Sequence, residues 1–333
     1  MKENSLVPEF GMDEIRNIIY RSSIPKRRNQ DRSASRVLFL LTLLPPALVL
    51  VILIALAVRV WPILQVHTLW DLLTGTVWKP LQGSFGFWPF IAGTIWVTVA
   101  ATALAIPPCL LTAIYLSEYA RQSIRTIIKP LLDLLAAIPS VVYGVWGMVA
   151  IVPWVEHSLM PFFKRWLSFL PFFVSTNPTG FGILAGGIVL AVMIAPFIIA
   201  VTYEVMATVP EGLRQASLAL GATRWQTVKS TVLPQTLPGI LAGIVLGSSR
   251  ALGETIAVLM VVGNVVQVPG SVFDAAYPLP ALIANNYGEM MSIPMYDAAL
   301  MGAALILLII VLVFNIASTL ILWRIMGQVR QAW

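Results

Sequence analysis

Long apolar runs alternate with shorter polar connections along the chain. A membrane-spanning helix needs about 20 mostly apolar residues. Six runs reach that length, and no stretch between them resembles a separate soluble domain: residues 37–59, 90–116, 131–152, 181–202, 238–262 and 299–323. The pattern therefore predicts an all-α fold, a polytopic membrane bundle of six transmembrane helices.

Composition supports a membrane protein and narrows its possible functions. Hydrophobic residues make up 58% of the 333 residues and charged residues only 11%, whereas a soluble domain has about a quarter of its residues charged. The single cysteine, Cys109, excludes an internal disulfide framework. The two histidines, His67 and His157, lie far apart in sequence and do not have metal-ligand spacing. We expect no metal, no cofactor and no catalytic centre.

The basic residues indicate topology. The net charge of +6 is not gathered on one stretch that suggests nucleic-acid binding. Eight of the 21 Lys and Arg lie in the first 36 residues. When the tails and connections are assigned alternately to the two sides of the membrane, one side carries sixteen Lys and Arg and the other carries three. The remaining two, Arg59 and Arg250, lie within or beside the apolar runs. Because cytoplasmic connections are rich in Lys and Arg, both termini are predicted to be cytoplasmic in a bacterial inner membrane.

These signals predict four regions. The chain begins with a cytoplasmic basic tail that lacks the apolar core of a signal peptide. The first transmembrane helix and an extracytoplasmic segment rich in Trp follow, and then a transmembrane core that contains a long cytoplasmic connection. The boundaries are 1–36 for the tail, 37–89, 90–325 for the core with its connection at 203–237, and 326–333 for a second tail.

The 203–237 connection predicts two short helices. Segments 208–211 and 223–226 both have the form of a capping box. Gly221 offers a left-handed stop after the first helix, and Pro234 is expected to end the second. Two capped helices make a preformed docking surface, although the same pattern would also suit a helix pair that only packs on the bundle.

The fifth run contains two charges. Arg250 lies twelve residues after Pro238, which places it roughly 18 Å into the membrane at 1.5 Å per residue. An arginine there costs about 3 kcal/mol on insertion scales. Glu254 is four residues further and would share its helix face. The two could simply neutralise each other, but intramembrane charges more often mark a transport pathway.

The functional alternative is an oxyanion site. The planar guanidinium of Arg250 fits phosphate oxygens in a bidentate manner and keeps its proton. Ser248, Ser249 and Thr255 would add hydroxyl donors. Glu254 would hold Arg250 in the empty site or accept the O–H of a protonated phosphate, which sulfate lacks.

Smaller features complete the prediction. Gly239, Gly243 and Gly247 recur every four residues and predict a close helix-packing face. Glu118 is expected to be solvated in a loop, and Asp133 is expected to cap its helix or pair with Lys129.

The long connection resembles a known family. Gln215-Ala-Ser-Leu-Ala-Leu-Gly221, followed by Ala-Thr-Arg-Trp-Gln and the Leu-Pro pair ending at Pro234, is similar to the EAA-loop of binding-protein-dependent ABC importers. In that family the loop is the coupling helix that docks in a groove of the ATPase subunit. The loop's usual Glu is Gln215 here. The residues expected to contact the ATPase are Arg214, Gln215, Ala216, Gly221 and Arg224, with the two arginines supplying charge.

A second resemblance is narrower. Ser249-Arg-Ala-Leu-Gly-Glu-Thr255, continued to Gly263-Asn264, is similar to the fifth-span signature of phosphate ABC permeases of the PstC type. Segments 116–119, 135–144 and 78–86 also match, so the resemblance covers roughly residues 60–325. In that family Arg250 and Glu254 match positions implicated in translocation.

The resemblance implies a permease that translocates inorganic phosphate across the inner membrane, surrounded by lipid. Its implied partners are a homologous PstA-type permease, two ATPase subunits and an extracytoplasmic phosphate-binding protein. The chain has no phosphate-binding loop of its own, so ATP hydrolysis would belong to the partner. The alternatives are a permease for sulfate or molybdate, an ATP-independent transporter, and an added role in signalling.

Overall fold

The computed structural model describes residues 24–167, 169–174, 177, 179–288 and 293–331. Most of the predicted N-terminal tail and the last two residues of the C-terminal tail lie outside the described residues. The chain divides into two units, one up to Ala55 and one from Leu56 onward. Helix α1 contains this boundary and begins at Ile24, so the predicted tail boundary at residue 36 falls inside a helix.

The elements follow in chain order. The α-helices are α1 (Ile24–Leu64), α2 (Leu69–Thr74), α3 (Trp88–Ile114), α4 (Gln122–Ala137), α5 (Ser140–Trp146), α6 (Val152–Trp154), α7 (Met160–Trp166), α8 (Ile183–Ala207), α9 (Glu211–Ala219), α10 (Arg224–Thr227), α11 (Leu233–Leu252), α12 (Ile256–Val261), α13 (Leu279–Asn286) and α14 (Pro294–Gln331). The π-helical turns are Tyr115–Tyr119, Gly147–Ile151, Val155–Leu159 and Val228–Val232, and the 3₁₀ turns are Pro80–Gln82 and Pro171–Phe173. Strands β1 (Trp78–Lys79) and β2 (Ser84–Phe85) pair antiparallel, with Trp78 opposite Phe85.

The membrane-spanning prediction is confirmed in outline. Five helices among the described residues are long and apolar enough to cross a membrane, and a bent helix pair makes a sixth if it counts as one span. The five are Ser33–Leu64, Trp88–Tyr119, Ile183–Ala207, Arg224–Leu252 and Met295–Gly327.

The third span is bent rather than straight. The predicted run 131–152 divides into α4 and a second helical stretch from Ser140 to Trp166, and the two meet at 90°. Ile138 and Pro139 at the junction have ψ values of 129° and 142°, which are not helical. A proline disfavours the helical conformation of the residue before it, so Pro139 accounts for the bend.

The fifth span has different ends from those predicted. The helix begins at Arg224 and continues through the π-turn 228–232 into α11, so the expectation that Pro234 ends the second loop helix is wrong. Pro234 lies just after the π-turn, and local π adjustments of this kind let a membrane helix accommodate a proline. The span then stops at Leu252 with Gly253 as its cap, and the short helix α12 begins at Ile256.

Helix α8 lies at the centre of the second unit. It packs against α3, α4 and α11. The predicted glycine face of α11 is confirmed, because a Cβ added at Gly243 or Gly247 would lie 3.0 Å from Val201 or 2.6 Å from Ile198 of α8. Small residues therefore let the two helix backbones approach closely.

The aromatic segment between α1 and α3 packs into a cluster of its own. The Trp78 ring lies 5.0–6.0 Å, centroid to centroid, from the rings of Phe85, Phe87, Phe90 and Tyr296. These contacts join the β1–β2 ribbon to the first residues of α3 and α14. The ribbon is a local addition to an otherwise helical fold.

Candidate functional site

Arg250 lies in the last turn of α11, on a surface that the second unit leaves open. Its residue is exposed, and its guanidinium carbon lies 5.9 Å from the centre of the Phe197 ring on α8. A cation over an aromatic face gains electrostatic attraction without losing its charge. Within the described residues, no carboxylate lies within 4.0 Å of the Arg250 guanidinium. The guanidinium is therefore accessible on this surface of the second unit.

Glu254 does not lie one turn further along the same helix, as the sequence suggested. Helix α11 ends at Leu252, so the four-residue spacing does not produce a common face. The Glu254 carboxylate instead accepts a hydrogen bond from the backbone N–H of Ala257 at 3.3 Å. It thereby caps α12, and the intrahelical Arg250–Glu254 pair is absent from the described structure.

The two serines before Arg250 join α11 to two different helices. Ser248 is buried, donates to the Ile244 carbonyl at 2.9 Å and accepts from the Thr102 hydroxyl of α3 at 3.2 Å. The Ser249 hydroxyl accepts from the Asn315 amide of α14 at 2.9 Å. Both hydroxyls therefore hold the helix in place.

Thr255 lies in the break between α11 and α12. Its hydroxyl donates to the Gly253 carbonyl at 3.2 Å. The residue is half-buried. Its expected contact with a transported anion stays a prediction.

The predicted coupling loop folds largely as expected. Helix α9 is followed by Gly221 with a φ of +86°, which confirms the left-handed stop. At the second helix, Gln226 N–H donates to the Thr223 hydroxyl at 3.3 Å and Thr223 N–H to the Gln226 side chain at 2.8 Å, which confirms that capping box. The first box is wrong, because the Thr208 hydroxyl donates back to the Val205 carbonyl.

The loop presents an exposed surface with apolar and basic side chains. Leu220 is 90% exposed and Trp225 is 50% exposed. Four of the five residues expected to contact an ATPase share this exposure: Gln215, Ala216, Gly221 and Arg224. Their contact with an ATPase stays a prediction.

Arg214, the fifth, turns inward. Its Nε and Nη2 donate to the two carboxylate oxygens of Glu118 at 3.1 and 3.0 Å, and it also donates to the Met206 and Val209 carbonyls. The Arg214 side chain is only 14% exposed, so it is not a surface charge, contrary to expectation. The Glu118 side chain is 9% exposed, so the expectation that it is solvated is wrong too. Because Glu118 and Arg214 lie 96 residues apart, no local sequence pattern predicts this salt bridge.

A polar cavity of about 260 Å³ adjoins this salt bridge, lined in part by Ser117, Arg125 and Tyr203. Arg125 donates to the Ser117 carbonyl at 2.5 Å. Lys129 lies 4.6 Å over the Tyr203 ring, and its expected ion pair with Asp133 is absent from the described structure. Among the described residues, no group of three His, Cys, Asp or Glu side chains is placed to hold a metal ion.

Comparison with known proteins defines the class. Residues 109–326 match the family of binding-protein-dependent transport system inner membrane components. The chain belongs to this family, and it is accordingly a multi-pass inner-membrane protein. A solved bacterial alginate ABC transporter, in complex with its pentasaccharide-bound periplasmic protein, contains a chain of the same fold, with a TM-score of 0.56 at 16% identity over 87% of this chain and 94% of that one.

Closer relatives define the branch. The phosphate transport system permease protein PstC of Pasteurella multocida is 38% identical over 74% of this chain and 78% of its own length. PstC of Xylella fastidiosa is 37% identical over 75% of this chain and 78% of its own length. These identities place the chain among the PstC permeases, as the motifs in its fifth span and coupling loop predicted.

Proposed function

We propose that this chain forms one half of the membrane passage of an importer for inorganic phosphate. A homologous PstA-type permease forms the other half. Two ATPase subunits bind the α9–α10 surface and hydrolyse ATP, and an extracytoplasmic phosphate-binding protein delivers the anion. Both termini and the coupling loop lie in the cytoplasm, as the distribution of Lys and Arg predicts.

The observation that supports the proposal most strongly is the Arg250 guanidinium. It lies on a membrane-spanning helix, on an open surface of the chain, without a carboxylate partner in the described structure. A charge that faced lipid at this depth would be costly. The surface that carries Arg250 therefore faces the second permease, and phosphate is the anion that neutralises the charge in passing.

Glu254 has a separate role in this proposal. Because the helix breaks at Gly253, its carboxylate lies at the junction of α11 and α12. It accepts the O–H of a protonated phosphate there, whereas Arg250 donates to the ionised oxygens. Ser248 and Ser249 orient Arg250, and Thr255 contributes its hydroxyl at the break.

Uptake of radiolabelled phosphate by the complete transporter in liposomes tests Arg250. We expect Arg250→Gln to reduce uptake by at least about a hundredfold, since a charge-assisted hydrogen bond contributes roughly 1.5–3 kcal/mol and two are lost. Arg250→Lys keeps the charge but lacks the planar, bidentate donors of the guanidinium, so it should retain part of the uptake activity. Arg324→Gln, near the end of α14, is the control. Near-normal uptake by Arg250→Gln would rule out the proposed role.

Selectivity tests Glu254. The Glu254→Gln variant should lose discrimination between phosphate and sulfate, because an amide both donates and accepts hydrogen bonds. Competition of unlabelled sulfate with labelled phosphate uptake measures the ratio. An unchanged ratio would remove Glu254 from the selectivity mechanism.

A further inference from the structure

The salt bridge between Glu118 and Arg214 connects two elements of the fold that lie 96 residues apart in sequence. Glu118 belongs to the π-turn 115–119 that follows α3 directly, and Arg214 lies on α9. Two parallel N–H to oxygen bonds, at 3.0 and 3.1 Å, fix both the distance and the orientation of the two groups. Both side chains are largely buried, so water screens the attraction little.

Arg214 contacts a third element as well. It also donates to the carbonyl of Met206 in the last turn of α8 and to the carbonyl of Val209 just after that helix. On the other side of the bridge, the Ser117 hydroxyl donates to the Glu118 carboxylate at 2.8 Å, and Arg125 of α4 donates to the Ser117 carbonyl. Ser117 therefore supports the Glu118 side of the bridge, and two backbone carbonyls support the Arg214 side.

A second polar contact leads from α9 to the helix that carries Arg250. The Ser217 and Thr227 hydroxyls lie 3.0 Å apart and join α9 to α10, and α10 continues into α11 without a break. The Glu118–Arg214 bridge leads instead to α3. Helix α3 returns to α11 through the Thr102–Ser248 hydrogen bond, two residues before Arg250.

We propose that the Glu118–Arg214 salt bridge is the mechanical link through which movement of α9 displaces α3 during ATP hydrolysis. Movement of the docked α9 then reaches α11 by two routes, one through α10 and one through α3. Helices α3 and α11 therefore shift together. Glu118 and Arg214 are positioning residues in this scheme, because neither touches the transported anion. This scheme rests on the proposed function, because the ATPase that moves α9 binds there only under that proposal.

The test compares ATP hydrolysis with phosphate uptake in the same liposomes, using the complete transporter and its phosphate-loaded binding protein. In the Glu118→Gln variant we expect the phosphate transported per ATP to fall about tenfold, within the range typical of coupling between sites. ATP hydrolysis should stay within about twofold of normal, since the exposed docking surface is unchanged. The charge swap Glu118→Arg with Arg214→Glu should restore much of the ratio. Glu211→Gln, whose carboxylate is 71% exposed and 3.7 Å from Arg214, should not change it.

The alternatives give different results. The proposal would be overturned if Glu118→Gln transported a normal amount of phosphate per ATP. An equal fall of hydrolysis and uptake, which a purely structural bridge predicts, would overturn it too. If Glu118→Gln fails to assemble, Glu118→Asp keeps the charge but shortens the reach, and its ratio decides in the same way. Wild-type uptake in the same liposomes reports on phosphate transport itself, so failure of the proposed function is recognised separately.

Discussion

The two serines that precede Arg250 determine where its side chain points. Each residue of an α-helix is rotated by about 100° from the one before, so Ser248, Ser249 and Arg250 point in three directions. The first direction is occupied by α3 through Thr102 and the second by α14 through Asn315. Two interhelical hydrogen bonds therefore fix the rotation of α11 about its axis and leave the third direction to the guanidinium.

Removal of the Asn315 amide tests this orientation. The Asn315→Leu variant should raise the KM for phosphate uptake, because α11 gains freedom to rotate, while its stability in detergent falls by only about 0.6 kcal/mol, the average for such bonds in membranes. Thr319→Val, one turn further along α14, removes a hydroxyl that bonds only to its own helix and serves as control. A normal KM in Asn315→Leu would show that the bond does not position Arg250.

At this scale the sequence reveals local contacts and misses distant ones. Gly221 and the 223–226 capping box were predictable because each acts within a few residues of itself. The partners of Arg214 and Ser249 were not, since Glu118 and Asn315 lie 96 and 66 residues away. The Ser249 hydroxyl accepts from the Asn315 amide, and its expected contact with an anion stays a prediction.

Helix packing depends on the glycine face of α11. Its first member, Gly239, lies against Val205 of α8 so closely that an added Cβ would overlap the valine methyl groups. Steric overlap of this kind in a packed interface costs typically 1–3 kcal/mol.

We expect Gly239→Ala to lower the yield of assembled, monodisperse transporter and its thermal stability in detergent by an amount within that 1–3 kcal/mol range. Gly327→Ala on α14 is the matched control, since nothing lies within 4 Å of a Cβ at that position. Equal stability of the two variants would contradict the close approach of α8 and α11.

The broken spans show what hydropathy misses at the scale of elements. The run 238–262 is apolar apart from its two charges and three hydroxyl residues, so it predicts one span. The helix nevertheless stops at Leu252, because Gly253 ends it and Glu254 caps the next helix. Hydropathy records which residues prefer lipid, whereas backbone geometry depends on caps and prolines that hardly change it.

At the scale of the molecule, one continuous helical stretch connects the proposed docking surface with the proposed passage. Arg224 in the loop and Arg250 in the span are 26 residues apart on it, roughly 39 Å at 1.5 Å per residue. The π-turn 228–232 interrupts the regular hydrogen bonding near the loop. Such turns often lie at functional sites, and this one would let the loop tilt relative to the span.

Cysteine labelling tests the predicted orientation in the membrane. Cys109 is the only cysteine in the chain, so Cys109→Ser gives a background without reactive thiols. In intact cells an impermeant maleimide should label Val266→Cys, and it should label Leu220→Cys only after the membrane is opened; both side chains are exposed. Labelling of both from the same side would contradict the assigned topology.

Under the proposed function, Arg250 borders a water-accessible passage rather than lipid. In the assembled transporter, with Cys109→Ser as background, a charged methanethiosulfonate reagent should modify Arg250→Cys, because such a reagent reacts only where water reaches the thiol. Phosphate-loaded binding protein with ATP should change the rate of modification. Val313→Cys, 57% exposed on α14 and expected to face lipid, should stay unmodified. If Arg250→Cys is as unreactive as Val313→Cys in every state of the cycle, phosphate does not pass this arginine.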